Sequence, residues 1–282
     1  TDIGQGANTV IAQICADAVG LPVDQFELLS PDTAQTPDCG KTSASRQTVI
    51  TGKAAMLSGA ALRADILARS NMGDDAKISL VGTALLVTDG DGRRVINLAD
   101  LPVDAQGYVL MTEQSYDPPT QTLDENGQGR PYAVYGYGAQ LVELDVDMVL
   151  GTVRVQRITA AHDLGRVINP LLAEGQIEGG IAQGLGMALM EEYIAGRTEN
   201  LHDYLIPTTG DMPEIRSILI EKPDPEGPMG AKGLGEHVLI PTAPAILNAI
   251  RDASGARLMQ LPALPHRVLA AIRAAQEEPR DD

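Results

Sequence analysis

The stretch "GPMGAKGLGEHVLIPTAPAILNAI", Gly227 to Ile250, carries a single carboxylate, Glu236, behind four glycines and a lysine. An acid in that setting is either a charged turn residue or a base aimed at something the glycines leave room for. Three other polar, glycine- or serine-rich stretches accompany it: Gly4-Gln5-Gly6, the loop ending Ser43-Ala44-Ser45-Arg46-Gln47, and Gly175-Gln176. None is a phosphate-binding GxxxxGK[ST] loop. None is a dinucleotide fingerprint, because no strand-GxGxxG-helix with a downstream acid occurs. Taken singly, each reads as backbone geometry as readily as a ligand site.

The elements that would carry these residues can be read from periodicity. Val10, Ile11, Ile14 and Ala18 form a helical stripe closed by Gly20 and Pro22. "FELLS" is short and strand-like, and a polar loop follows it. Helical spacing returns through Ile50, Ala54, Leu57 and Ala61. Residues 74–110 read as short strands, with a hairpin around Asp89-Gly90-Asp91-Gly92. Residues 114–131 form a Pro/Gly/Asn-rich surface connection. Val142, Leu144 and Val146, then Val153 and Val155, alternate with polar residues as half-buried antiparallel strands do. "NPLLAEGQIEGGIAQGLGMALMEEY" is helical, with Ile177, Ile181, Leu185 and Leu189 at steps of four. Its glycines each cost about 1 kcal/mol inside a helix, so another backbone or a bulky cofactor must come close. "APAILNAIRDA" and "PHRVLAAIRAAQ" are two further amphipathic helices, and the terminal "EEPRDD" frays. Helices and antiparallel strands without regular βαβ alternation indicate an α+β fold.

Composition narrows the partners. A net charge of -17 repels phosphate backbones, and aromatics at 3% leave few platforms for stacked bases, so nucleic acid is not an expected partner. No apolar run approaches the ~20 residues of a membrane span. Thr1 is not a natural start, so the chain is processed, trimmed or part of something longer. Cys15 and Cys39 suit neither a zinc site nor a redox pair, and read as reduced thiols in a cytoplasmic protein. His162-Asp163 reads as a structural turn and not as a metal site. His202, His237 and His266 read as structural or surface histidines.

Taken together and in order, "TDIGQGANT", "SASRQTVITGKA", "HDLGRVINPLLAEGQIEGGIAQGLG", "HDYLIPT" and "GAKGLGEHVLIPTAPAILNAI" resemble the xanthine dehydrogenase family of molybdenum hydroxylases. The resemblance is to the C-terminal half of the molybdopterin-binding part. It treats 1–282 as that domain, with two α+β subdomains, mixed or antiparallel sheets and amphipathic helices, dividing near 70–140. It implies molybdenum held by a pterin dithiolene, with no protein ligand to the metal. The cofactor would be the cytosine dinucleotide form. The glutamate of the family's KGxGE motif matches Glu236, which would take a proton from a metal-borne oxygen as that oxygen attacks an electron-poor carbon. Gly4, Gln5 and Gly6 match the cofactor-binding turn, and Ala44 the position whose backbone faces the molybdenum. Ser45, Arg46 and Gln47 match a loop that contacts the cofactor's phosphate or nucleotide end. Gln176 matches the pterin-bonding glutamine, and Lys232 and Gly233 lie against the cofactor. For Arg46 and Lys232 a surface ion pair is the competing reading. His237 stands where many relatives have proline.

The same resemblance implies what the chain lacks. The other wall of the molybdenum cavity belongs to a second molybdopterin-binding subunit or domain. Two [2Fe–2S] clusters and FAD belong to partner chains or domains, since one cluster takes four thiolates and this chain has two cysteines. The implied activity is hydroxylation of a purine- or nicotinate-type heterocycle, or oxidation of an aldehyde, with water-derived oxygen and only with partner chains present. The alternatives are a molybdopterin-binding assembly protein and an inactive structural subunit.

Overall fold

A computed structural model describes residues 1–277, and the expected fraying of the terminal "EEPRDD" falls almost wholly outside them. The chain forms two compact units. The first comprises Thr1–Tyr135 with Pro223–Gly233; the second comprises Gly136–Lys222 and the chain from Leu234 onward.

The first unit pairs two helices with a small sheet. Helix α1 (Ala7–Val19) ends where Gly20 turns left-handed (φ 86°) and its amide donates to the Ala16 carbonyl, a position that favours glycine. Helix α2 (Gly52–Ser70) is entered through a wide π-type turn, Gln47–Thr51. That turn places Ile50 outside the α-helix, so the expected stripe is out of phase. Ile50, Ala54, Leu57 and Ala61 are only half-buried, and the buried line runs through Gly52, Gly59, Ile66 and Leu67. Gly59 is the crossing point: a β-carbon there would stand 2.8 Å from the Cys15 carbonyl and 2.9 Å from Ala18 Cβ. Sheet A is an antiparallel meander of β1 (Lys77–Val81), β2 (Ala84–Asp89) and β3 (Gly92–Asn97), with its tight hairpin at Asp89–Gly92 as expected. Ile78, Leu85 and Val87 bury one face of it with Ile66 and Leu67 of α2. "FELLS" is not a strand. It joins no ladder, and Leu28 and Leu29 are exposed, so its apolar residues have no sheet to complete.

The second unit packs three helices on a three-stranded sheet. Strands β4 (Gly138–Val146) and β5 (Val153–Asp163) pair antiparallel, and β6 (Glu214–Ile220) joins β5 in parallel, giving a mixed sheet in the order β4-β5-β6. Helix α3 (Pro170–Leu189) starts on Asn169, whose side chain accepts from the Leu172 amide, with Pro170 in the first turn. Ile177, Ile181 and Leu185 bury its inner face as their spacing requires. Helices α4 (Thr242–Ser254) and α5 (Pro265–Glu277) close the core through Ile246, Ile250, Val268 and Ile272. His162 and Asp163 are the buried last residues of β5 and not a turn; the turn follows them at Gly165 (φ 63°).

Candidate functional site

In the first unit, the Gly4–Gly6 turn is tied down by its own neighbour. One Asp2 carboxylate oxygen accepts from the Gly4 (2.8 Å) and Gly6 (3.3 Å) amides, and the other accepts from Asn8 (3.0 Å). The Asn8 amide, then those of Gly4 and Gly6, hold the Asp2 carboxyl below its ordinary range against the opposing effect of partial burial. The amides of Gly4 and Gly6 thus serve Asp2. The Gln5 side chain lies at the surface of the turn, accepting from Ile3 (2.7 Å).

The second loop of this unit is held from inside. Gln47 is buried; its amide nitrogen donates to Thr42 Oγ1 (3.0 Å) and its oxygen accepts from Thr51 (2.8 Å). Arg46 Nη1 donates to the Cys39 (2.7 Å) and Lys41 (3.2 Å) carbonyls, curling the loop around its own guanidinium. Through these bonds Nη1 folds the loop. Between the two anchors, Ala44 (φ 58°) and Ser45 (φ 50°) are both left-handed. Such conformations cost about 1–2 kcal/mol for residues with a β-carbon. The two stand in succession, with Ala44 exposed and Ser45 half-buried.

Gly233 meets this loop. A β-carbon at Gly233 would collide with the Ser45 carbonyl oxygen, so two of the segments singled out in the sequence lie in contact. Lys232 beside it is buried at 7% exposure.

In the second unit, Gln176 is half-buried on α3, and Gly179 lies one turn on along the same face. A β-carbon at Gly175 or Gly179 would meet nothing within 4 Å, whereas one at Gly180 would stand 2.8 Å from Val238 Cβ and one at Gly184 would collide with Thr242. The helix glycines therefore divide. Gly180 and Gly184 admit the chain around α4, while Gly175 and Gly179 leave a smooth outer face beside the Gln176 amide.

Glu236 is exposed in the turn between Leu234 and α4. Helix α4 begins only at Thr242 with Pro241 as its N-cap, so Glu236 does not cap it. His237 stacks on His162, with ring centroids 5.1 Å apart and planes at 28°. Gln140, on β4, donates to the Val238 carbonyl (2.9 Å) and lies 3.4 Å from His162 Nε2. Burial, then the proximity of His237, lowers the His162 pKa to about 4. Gln140 and His162 were not readable as partners of the turn that carries Glu236. One is an ordinary polar position on a strand, and the other precedes it by a long stretch of chain. His202 and His266 are exposed. A surface cleft formed by β5, the end of α3 and Gly210–Glu214 is lined by none of the candidate site residues. Among the described residues, no group of three His, Cys, Asp or Glu side chains could hold a metal ion.

The residues present fit a flat, phosphate-bearing cofactor held by backbone and amide groups. In the first unit this is the left-handed Ala44–Ser45 backbone against the bare Gly233; in the second, taken by itself, it is the Gly175/Gly179 face of α3, which carries no side-chain bulk.

Comparison with known proteins agrees. Residues 1–213 match the molybdopterin cofactor-binding domain family. The chain is 35% identical over 290 residues to the xanthine dehydrogenase molybdenum-binding subunit of Escherichia coli O157:H7, covering 98% of this chain and 37% of that one. It is 31% identical to the nicotine 6-hydroxylase large subunit of Paenarthrobacter nicotinovorans, covering 96% of this chain and 34% of the relative. The structure of the aldehyde oxidoreductase from Desulfovibrio gigas superposes with a TM-score of 0.78 at 30% identity, over 96% of this chain and 28% of that one. The chain thus spans about a third of the length of the relatives it matches.

Proposed function

Because this chain belongs to the molybdopterin cofactor-binding domain family, within the xanthine dehydrogenase family of molybdenum hydroxylases, we propose that it is the base-bearing part of such an enzyme. The substrate is an electron-poor N-heterocycle of purine or nicotinate type, or an aldehyde, oxidised with water-derived oxygen. When bound, the cofactor supplies the two-electron chemistry and the Lewis acid. Glu236 accepts the proton of the attacking oxygen, a role worth about 10²–10⁴ in rate. Gly4, Gln5, Gly6, Ala44, Ser45, Arg46, Gln47, Gln176, Lys232 and Gly233 hold the cofactor, in its cytosine dinucleotide form. At the Gly4–Gly6 turn the amides are shared with Asp2, so Gln5 is the contributing side chain there.

Turnover on this reading requires a second molybdopterin-binding subunit or domain, and [2Fe–2S] and FAD carriers that pass electrons onward. The compartment is the cytoplasm, in keeping with two free thiols, and no helix among the described residues is long and apolar enough to cross a membrane.

The observation that supports the reading most is the strained Ala44–Ser45 backbone packed on Gly233 next to a buried lysine. Strain of that kind is retained where a ligand uses it. The test is Glu236→Gln in the assembled complex. Molybdenum and pterin content stay at the wild-type level while turnover is lost. Normal turnover would instead make the chain a non-catalytic assembly or structural subunit.

A further inference from the structure

The turn that carries Glu236 is fastened on both of the residues that follow it. Val238 is fully buried, its side chain lies against Gly180 of α3, and its carbonyl accepts from Gln140 Nε2 (2.9 Å) and Thr242 Oγ1 (3.3 Å). His237 lies flat on the ring of His162. His162 is itself fully buried and occupies space that only a glycine at 138 leaves open, since a β-carbon there would collide with its Nδ1.

The choice of an imidazole at 162 needs a reason. The Gln140 amide nitrogen faces Nε2 at 3.4 Å. A donor there makes Nε2 the acceptor and leaves the ring proton on Nδ1. Nδ1 has no hydrogen-bond partner. A buried donor in that state costs about 1–3 kcal/mol, which a phenyl ring of similar shape would avoid. What the imidazole adds is the Nε2 acceptor. It takes one hydrogen of the Gln140 amide and so directs the other at the Val238 carbonyl. Burial keeps the ring neutral at ordinary pH, as this arrangement requires.

We propose that Gln140 and His162 are positioning residues for Glu236: His162 orients the Gln140 amide and seats His237, and together they fix the backbone from which the carboxylate projects. This inference rests on the proposed role of Glu236 and deepens it. Neither residue touches substrate or cofactor on this account; both act through the turn. Rate follows because a carboxylate displaced by about 1 Å loses much of its advantage as a base.

The test uses the full chain in its assembled complex, with Gln140→Met and His162→Phe as variants of similar volume. Two readouts are taken, amide hydrogen exchange over 235–241 and the separate values of kcat and KM. The expected result is exchange about tenfold faster in that segment but unchanged in α3, as for a local opening. With it, kcat falls about tenfold and KM stays within twofold. Unchanged exchange over 235–241 in both variants would overturn the proposal. So would faster exchange spread evenly over the β4-β5-β6 sheet and α3, which marks a merely structural role. Glu236→Gln is run alongside. If it turns over normally, the base role is lost, while the exchange data still decide whether the two residues fix the turn. If it is dead and the two variants exchange as wild type, only the positioning role is lost.

Discussion

Gly233 rests its Cα against the carbonyl oxygen of Ser45 so closely that a single methyl group there has no room. Both residues are backbone-locked, Ser45 by its left-handed conformation (φ 50°) and its place before the π-type turn. The contact makes the 41–47 loop and the 230–233 loop one rigid feature of the first unit. Gly233→Ala should therefore destabilise that unit by about 1–3 kcal/mol, the usual scale of overpacking. Thermal unfolding of the isolated chain measures this. In the complex, cofactor content by metal and pterin analysis should fall along with it.

Two adjacent glycines of α3 should respond in opposite senses. At Gly179 a β-carbon meets nothing, so Gly179→Ala gains helix propensity and raises stability by about 0.5–1 kcal/mol. At Gly180 the same change runs into Val238 and lowers stability by about 1–3 kcal/mol. Urea unfolding of the two variants gives the comparison. If the open face beside Gln176 receives the cofactor, Gly179→Ala should lower cofactor content while the protein itself becomes more stable.

Acid should weaken the second unit through His162. Its folded pKa of about 4 lies below the ordinary 6.5. Between those values the unfolded chain binds a proton that the folded chain refuses. The contribution of the neutral ring is complete above about pH 6.5 and is lost as pH falls toward 4, a span worth about 3 kcal/mol. Unfolding free energies at pH 7 and pH 4.5 should show this loss for the wild type. His162→Phe should show a flatter profile, because it removes the titrating group.

Asp2 should matter to α1 although it lies outside the helix. Asp2→Ala strips the shared acceptor from the Gly4, Gly6 and Asn8 amides, and Gly6 as N-cap offers no side chain to replace it. A loss of about 1 kcal/mol is expected, the usual cost of a missing cap, read as a lowered thermal midpoint. The depressed Asp2 carboxyl gives its stabilisation above the ordinary carboxylate range, and loses it as pH falls through the lowered value.

What could be read from residues alone was mostly local. The stripe on α3, the helix end at Gly20 and the Asp89–Gly92 hairpin follow from spacing and turn chemistry, and each stands where it was expected. The phase of α2 was lost because a π-type turn inserts itself at Gln47–Thr51, and nothing in the residue pattern announces it. "FELLS" had strand-forming residues but no partner, and pairing is a tertiary property. The parallel seating of β6 beside β5 depends on the long excursion through α3, which periodicity does not encode. The glycine, glutamine and acid motifs were legible as residues worth watching. Their arrangement was not: Asp2 occupies the amides of the Gly4–Gly6 turn through a local choice of acceptor that spacing does not encode, while the meeting of Ser45 with Gly233 and the bond from Gln140 to the turn behind Glu236 come from distant parts of the chain folding together.

The polypeptide enters the first unit twice. Its second visit, residues 223–233, supplies Pro228 beside Gly52, the Pro225 carbonyl that receives Lys53 (3.2 Å), and Glu226, which accepts from Tyr116 (2.9 Å). A gene fission or proteolytic nick anywhere from 136 to 222 would therefore leave the N-terminal product missing a stitch that only the C-terminal product carries. The two pieces could mature only by complementation, so evolution is free to lengthen loops within that interval but not to part the chain there cheaply.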